Sequence, residues 1–482
     1  MNYRITTAFA VLAIALAPRA LEAQTYRVQA MGGASLAIED EALSLTPYDF
    51  DGNPAWMARD ETATRLDVAP SGGYVSGDYR RRYSAEAIDR YHAKFDGVKN
   101  LDSSGVFRGS VDYLYEARQR YERSLKRVPY GGEAFFYADT TAGEFRYNGP
   151  DVRATYAFEP IDGLTLGAFG RYMLLDGLKR VYTYAEVVDR DVVGVFGAAY
   201  EPTPGIVFGA TVELEDESEK ITANDVNLRE VETYYYRGER YRVSDRGSTS
   251  EQRIRKTRFE PRAQIHWRPF EDLELAAAGG PAHRNTIVEI PTGLIIEYEE
   301  GYASFDGVEA KAAAKWRATE RVTAGARVGY EQTASWSKIS DRDLLIWEWE
   351  TDAIGVEGGF AYAGDGFLAT IEAGATMRNA DSTKYIDRRF VSISSTDLRF
   401  LAAGEFAVTE NAVARAGVGY ETFEHDFLYG GEDATALSGS LGAEFDVGGS
   451  DLSLVFQFDR RESGGKTRDR VALIVAIRLW TF

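Results

Sequence analysis

VEAKAAAKWRATERVTAGARVGYE, residues 308–331, is the stretch whose reading decides the fold. Its even positions are Val308, Ala310, Ala312, Ala314, Trp316 and Ala318, then Val322, Ala324, Ala326, Val328 and Tyr330. Its odd positions carry Glu309, Lys311, Lys315, Arg317, Arg321, Thr323, Arg327 and Glu331. A period of two is the period of β-strands with one apolar and one polar face. Glu320 is the one charge on the apolar parity, and it lies in the connection. A three-residue loop Thr319–Arg321 would set Ala318 opposite Val322 and carry the apolar face across the turn. Such a pair of strands suits one hairpin of a transmembrane barrel, where lipid wets one parity and the lumen the other.

The neighbouring sequence repeats this pattern. Val152, Ala154, Tyr156 and Phe158 alternate towards Leu164, Leu166 and Ala168; Phe196, Ala198 and Tyr200 lead into Ile206, Phe208 and Ala210. Similar pairs flank Arg268–Asp272, Ala363–Gly366, Thr409–Asn411 and Gly448–Asp451. Each inferred turn is short and keeps the apolar face continuous. The connections on the other side read as long and rich in charge and Tyr, at roughly 175–190, 215–257, 281–307, 332–351, 378–396, 422–436 and 461–467. Short turns at one end and long loops at the other are the asymmetry of outer-membrane barrels. Residues 80–130 alternate least, and read as a surface loop or partly helical insertion. The expected fold is all-β: an antiparallel up-and-down transmembrane barrel of about 14–16 strands spanning residues 60–482.

Composition agrees. The 482 residues carry a formal charge of −20 and no cysteine, with 29 Tyr, 25 Phe and 47 Gly. An acidic chain is a poor nucleic-acid binder. Without cysteine there are no disulfides and no thiolate metal sites. Mean hydropathy is −0.32, too polar for a bundle of spanning helices. At the N-terminus, Arg4 and the apolar run Ala8–Ala17 read as an export signal cleaved after Ala23, so residues 1–23 are expected to be removed.

The segment that follows holds Met31-Gly32-Gly33-Ala34, Glu39-Asp40-Glu41-Ala42 and Asn53-Pro54-Ala55. This series resembles the start of the FadL-like outer-membrane transporters and the related PorV-type proteins of type IX secretion. Trp56 after the motif and the insert Thr46–Gly52 depart from that pattern. The resemblance implies that residues 24–59 form a hatch within the barrel, a role carried over to Asn53, Pro54 and Ala55 only. Phe50 and Trp56 beside the motif either meet a hydrophobic ligand or anchor the plug, and anchoring is the commoner use of such groups. At the other end, Trp480 and Phe482 resemble the signal read by the barrel assembly machinery. Arg478 shares their parity, whereas Val471, Leu473, Val475, Ile477 and Leu479 hold the other; a bulge near the end could reconcile the two.

Charges on the polar parity belong in the lumen, because Arg or Lys facing mid-bilayer lipid costs about 2–4 kcal/mol. Lumen-lining residues are therefore expected at Lys311, Lys315, Arg327, Glu357, Glu372, Arg399, Glu405 and Arg415. Their mixed signs argue against a pore ringed by one charge. No nucleophile elbow, phosphate loop or metal cluster stands out. The four histidines are His92, His266, His283 and His425; His425-Asp426 is a candidate acid–base pair, but neighbours on a strand point to opposite faces. No enzyme, cofactor or metal is expected. The partners expected are outer-membrane lipid, the assembly machinery and a small-molecule substrate. The expected function is passive uptake of small molecules, hydrophobic ones included, across the outer membrane. The alternative is a PorV-like docking barrel that binds secretion or surface partners.

Overall fold

The computed structural model describes residues 52–480, apart from breaks at 61–63, 82–83, 122–123, 130–134, 139–141, 180–183, 225–230, 236–239, 245–248, 292–296, 341–342, 386–387 and 428. The export signal, Phe50 and Phe482 lie outside the described residues.

The first barrel strands are β1 (Arg65–Gly77), β2 (Ala87–Asn100) and β3 (Val106–Tyr121). A short β4 (Phe135–Ala138) precedes β5 (Gly143–Ile161), β6 (Leu164–Lys179), β7 (Tyr184–Thr203) and β8 (Ile206–Asn224). β9 (Val231–Tyr235) and β10 (Arg240–Ser244) join β4 in a separate three-stranded sheet. The barrel resumes with β11 (Thr249–Phe270), β12 (Leu273–Pro291), β13 (Glu297–Arg317), β14 (Val322–Ile339) and β15 (Leu344–Gly364). It ends with β16 (Phe367–Lys384), β17 (Arg389–Thr409), β18 (Ala412–Asp426), β19 (Gly431–Asp446), β20 (Ser450–Ser463) and β21 (Lys466–Trp480). Successive strands pair antiparallel, and β1 pairs with β21 to close an 18-stranded sheet on itself. Closure removes the exposed edges that an open sheet of this size would leave.

In the opening hairpin Trp316 faces Ala324 and Ala312 faces Val328. The turn is tighter than a three-residue loop. Thr319 and Val322 exchange backbone hydrogen bonds of 3.2 and 3.3 Å, leaving Glu320 and Arg321 at the tip. The apolar parity points outward: Trp316 is 55% exposed and Phe360 59%. Val192–Tyr200, Phe208–Leu214, Val308–Trp316 and Ile354–Tyr362 belong to the same outer belt, close in length to the roughly 9–11 residues that a tilted strand needs to span a bilayer. Above the belt the outer face becomes charged. Arg190 pairs with Asp216 at 2.7 Å just beyond Val192, and His283 pairs with Asp306 at 2.5 Å just beyond Val308. No helix among the described residues is long and apolar enough to cross a membrane.

Four expectations change. The count is eighteen strands rather than fourteen to sixteen. Residues 80–130 supply β2 and β3 instead of a loop or helix, with Tyr91, Phe95, Val111 and Tyr113 exposed on the outer face. The connections read as long loops are largely strand: β15 starts at Leu344 and β17 at Arg389, well above the belt. Finally, no bulge interrupts β21 in either of its pairings. Leu473 and Ile477 face out, whereas Arg478 bonds Asp67 at 2.7 Å and Trp480 donates to Asp451 at 2.9 Å on the inner side. An inward ion pair is how this strand carries an arginine through lipid without exposing it.

Candidate functional site

Two segments enter the barrel from opposite ends. At the end of the short turns, Pro54–Trp56 form a 3-10 turn followed by a single helical turn, Met57–Asp60. Proline at the first position fits the missing N–H of a helix start, and Asn53 is a favoured cap. Its Oδ1 accepts from the Ala55 N–H at 3.0 Å. Its Nδ2 donates to the Ala198 carbonyl at 3.1 Å and to Gln264 Oε1 at 2.8 Å. One asparagine thus caps its own turn and ties it to two strands of the wall.

The wall is shaped to receive this turn. Gly167 on β6 lies directly opposite Gly197 on β7, and Gly209 follows on β8. A Cβ at Gly167 would run into Pro54 and the Ala55 nitrogen; one at Gly197 would strike Asn53 and come within 2.9 Å of Pro54 Cδ. A Cβ at Gly209 would crowd Gln264 and stand 3.1 Å from Asn53 Nδ2. The three glycines leave a flat seat where a side chain would hold the turn off the strands. Ala55 and Trp56 pack on Ala199 and Val207, with the Trp56 ring 6.4 Å from that of His266. Met57 is buried among Val98, Val106 and Ala157. Trp56 and Met57 are thus both buried against the wall. The structure brings Asn53, Pro54, Ala55 and Trp56 together. Gln264 and the glycine seat escape a motif search, although three inward-parity glycines on successive strands are visible once the strands are aligned.

Within the belt the inner wall is a lattice of ion pairs. Glu357 accepts from Arg327 at 2.6 Å and from Arg399 at 3.4 Å, and Arg399 reaches Glu421 at 3.3 Å. Glu372 stands beside the same group, within the fields of Arg399, Glu357 and Arg327. Arg415, 3% exposed, bridges Glu405 at 3.1 Å and Glu444 at 2.7 Å. Lys315 approaches Glu274 at 3.8 Å, and Lys311 shares its inward parity on β13. Alternating signs at close range leave little uncompensated charge along this wall.

At the other end Ser124–Val128 and Phe136, between β3 and β5, lie in the mouth. Leu125 and Phe136 are buried in a cluster with Tyr121, Phe145, Tyr147, Val187, Ile221, Ile254 and Trp347. Above the belt, then, the inner face is apolar. Lys126 is fully buried, with Nζ 3.0 Å from Glu219 and donating to the Val128 carbonyl at 2.8 Å. The Arg127 N–H donates to Glu219 at 2.6 Å, and its guanidinium pairs with Asp189 at 3.1 Å. Arg118 lies over the rings of Tyr121 and Tyr147, at 5.4 and 5.0 Å. It also bonds Glu116, which takes Arg90 as well. Burial alone would raise the Glu116 carboxyl, but Arg118, Arg90 and Arg127 outweigh it and hold the pKa down to about 2. A depressed carboxylate stabilises the folded state above its ordinary pKa of roughly 4.3, and that contribution fades as pH falls towards about 2.

This inward segment forms a cap, and Lys126→Met should loosen it. The change leaves Glu219 among apolar groups with the Arg127 N–H as a donor but without its buried cation. Tryptic cleavage after Arg127 should accelerate about tenfold, the response to roughly 1.4 kcal/mol of closure free energy, while the barrel stays folded. Unchanged cleavage would dismiss the cap.

The histidines do not form a catalytic group. His92 pairs with Asp112 at 3.0 Å within the barrel, and His425 packs on Phe427 at 5.0 Å between ring centres. Asp426 is engaged by the Tyr79 hydroxyl at 3.0 Å and by Arg461, so the His425-Asp426 adjacency makes no acid–base pair. Among the described residues no three His, Cys, Asp or Glu gather as a metal-binding group.

A family model described as "Family of unknown function (DUF6850)" matches residues 54–473. No curated protein matches the chain. Solved structures that resemble it include the copper transporter OprC, at 8% identity and a TM-score of 0.46, over 87% of this chain and 81% of that one. A Pseudomonas aeruginosa FadL homologue aligns at 12% identity and a TM-score of 0.38, over 96% and 99% of the two chains. The CymD monoaromatic hydrocarbon channel aligns at 9% identity and 0.36, over 94% and 96%.

Proposed function

We propose that this chain, which belongs to the DUF6850 family, is an outer-membrane channel for passive passage of small molecules, shut at both ends by its own segments. The carrying observation is a closed barrel with an outer apolar belt and a polar inner wall, entered by Asn53–Met57 at one end and Ser124–Val128 at the other. Short turns in such barrels face the periplasm, which puts the glycine seat at the periplasmic rim and the cap at the cell surface. Between them a cavity of about 460 Å³ is lined by Arg258, Glu260, Arg284, Glu309, Glu331 and Trp349, within the size range of small-molecule sites. Mixed charge and an aromatic wall suit small polar or amphipathic solutes better than long apolar chains. In this reading the Asn53 segment is a latch, and residues 24–59 are the hatch that carries it.

Liposome swelling with neutral sugars tests the proposal on three proteins: the intact chain, a deletion of residues 24–59, and that deletion combined with Lys126→Met. The intact chain should pass little and the combined variant most. Absence of flux in all three, from barrels shown to be folded, would sink the channel reading.

A further inference from the structure

A second cavity, of about 500 Å³, lies between β1–β2 and β17–β21. Arg90, Arg461, Arg468 and Arg470 line it, with Asp459 as the one acidic lining residue. That balance is unusual in a chain of net charge −20. Two of the arginines are already paired: Arg90 with Glu116 at 2.8 Å, and Arg461 with Asp426 at 3.0 Å.

The other two are not. Arg468 is 5% exposed, yet its Nη1 donates only to the carbonyls of Gly77 at 3.2 Å and Glu86 at 2.8 Å. Its buried Nε has no hydrogen-bond partner among the described residues. The nearby cation Arg80 adds to its charge instead of offsetting it. Arg470, the exposed one of the two, lies two residues along the same inward face; it attracts Asp459 across the β20–β21 ladder but forms no close ion pair among the described residues. Burying the Arg468 guanidinium without a carboxylate is costly, and such charges ordinarily occur paired. Ser438, Ser440, Gln457 and Tyr429 complete a polar lining around the two.

We infer that this cavity binds the oxyanion of a small solute, a carboxylate or phosphate, between Arg468 and Arg470. Guanidinium groups present forked donors that match either head group. The bound oxyanion would take the unsatisfied Nε and supply a counter-charge to Arg468, for which the lining offers only Asp459, opposite Arg470. The site's part in passage rests on the channel reading; binding itself does not.

Calorimetry on the full-length protein in detergent, at constant ionic strength, tests this with inorganic phosphate and with benzoate. Saturable binding of one ion per chain is expected for at least one probe, and the responding probe identifies the head group. Arg470→Gln should weaken it about tenfold or more, the loss of one charge-assisted contact, and Arg470→Lys should restore part. Arg470 makes no structural ion pair, so the variant keeps its fold, which heat-modified gel mobility verifies. No saturable binding of either probe, or equal affinity in Arg470→Gln, overturns the inference. Binding without sugar flux in the liposome assay would count against the channel alone.

Discussion

Replacing Gly197 with valine should expel Asn53-Pro54-Ala55 from the wall while leaving the barrel intact. The added side chain would occupy the position of the Asn53 carboxamide and Pro54 ring, neither of which can rotate away without losing the capped turn. Asn53 would forfeit its bonds to Ala198 and Gln264, each worth about 0.5–1.5 kcal/mol. Met57 would leave a fully buried site worth roughly 1.5–3 kcal/mol. Together these amount to about 3–6 kcal/mol, or roughly two to four orders of magnitude in the docking equilibrium. The chain contains no cysteine, so Ala58→Cys gives a single reporter on a residue packed beside Met57. Maleimide labelling of that thiol should be slow in the parent and fast in the Gly197→Val background. Gly170→Val is the matched control, since a Cβ there meets nothing within 4 Å. Equal labelling in both backgrounds would show that the seat does not hold the latch.

The second large effect concerns Arg415. Its guanidinium is the link between Glu405 and Glu444, both nearly buried, and Ser453 adds a bond to Glu444 at 3.2 Å. Arg415→Met removes the cation and leaves two carboxylates facing each other away from solvent. Breaking a buried ion pair in this way typically costs about 3–5 kcal/mol. The thermal or urea midpoint should drop accordingly. A triple variant, Arg415→Met with Glu405→Leu and Glu444→Leu, should regain most of the loss, because no charge is then stranded. If the single variant matched the parent, the triad would be dispensable for stability.

How much of this was legible beforehand follows from which solvent wets each face. In Val308–Glu331 an exposed apolar parity alternates with a charged one, so parity alone identified both strands. β2 and β3 obey the same rule, with Arg90, His92, Lys94 and Asp96 on one parity and Tyr91, Ala93, Phe95 and Gly97 on the other. There the outward tyrosines carry hydroxyls, and the mixture of rings and charges obscured the period. Above the belt the pattern inverts. Ala185 and Val187 on β7, Ile221 on β8, Ile254 on β11 and Val288 on β12 turn apolar groups inward, while the outer face meets water. A phase reversal in mid-strand looks like the end of alternation, which is why continuous strands read as loops. The Asn-Pro-Ala motif was visible, but its seat is assembled from β6, β7 and β8, and adjacency across strands is not written along the chain.

In the channel reading proposed above, the strands that continue beyond the belt are the surface that the cell exterior meets. Among the described residues these strands form a hydrogen-bonded ladder around a packed interior, which neither a protease can thread nor an antibody lift out as a peptide. Recognition there has to match a fixed relief whose neighbouring residues come from different strands, such as Arg190 beside Asp216 and His283 beside Asp306. Sera raised against linear peptides from β7, β12 or β13 should therefore bind the denatured chain and pass over intact cells, whereas sera raised against the folded barrel should do the reverse.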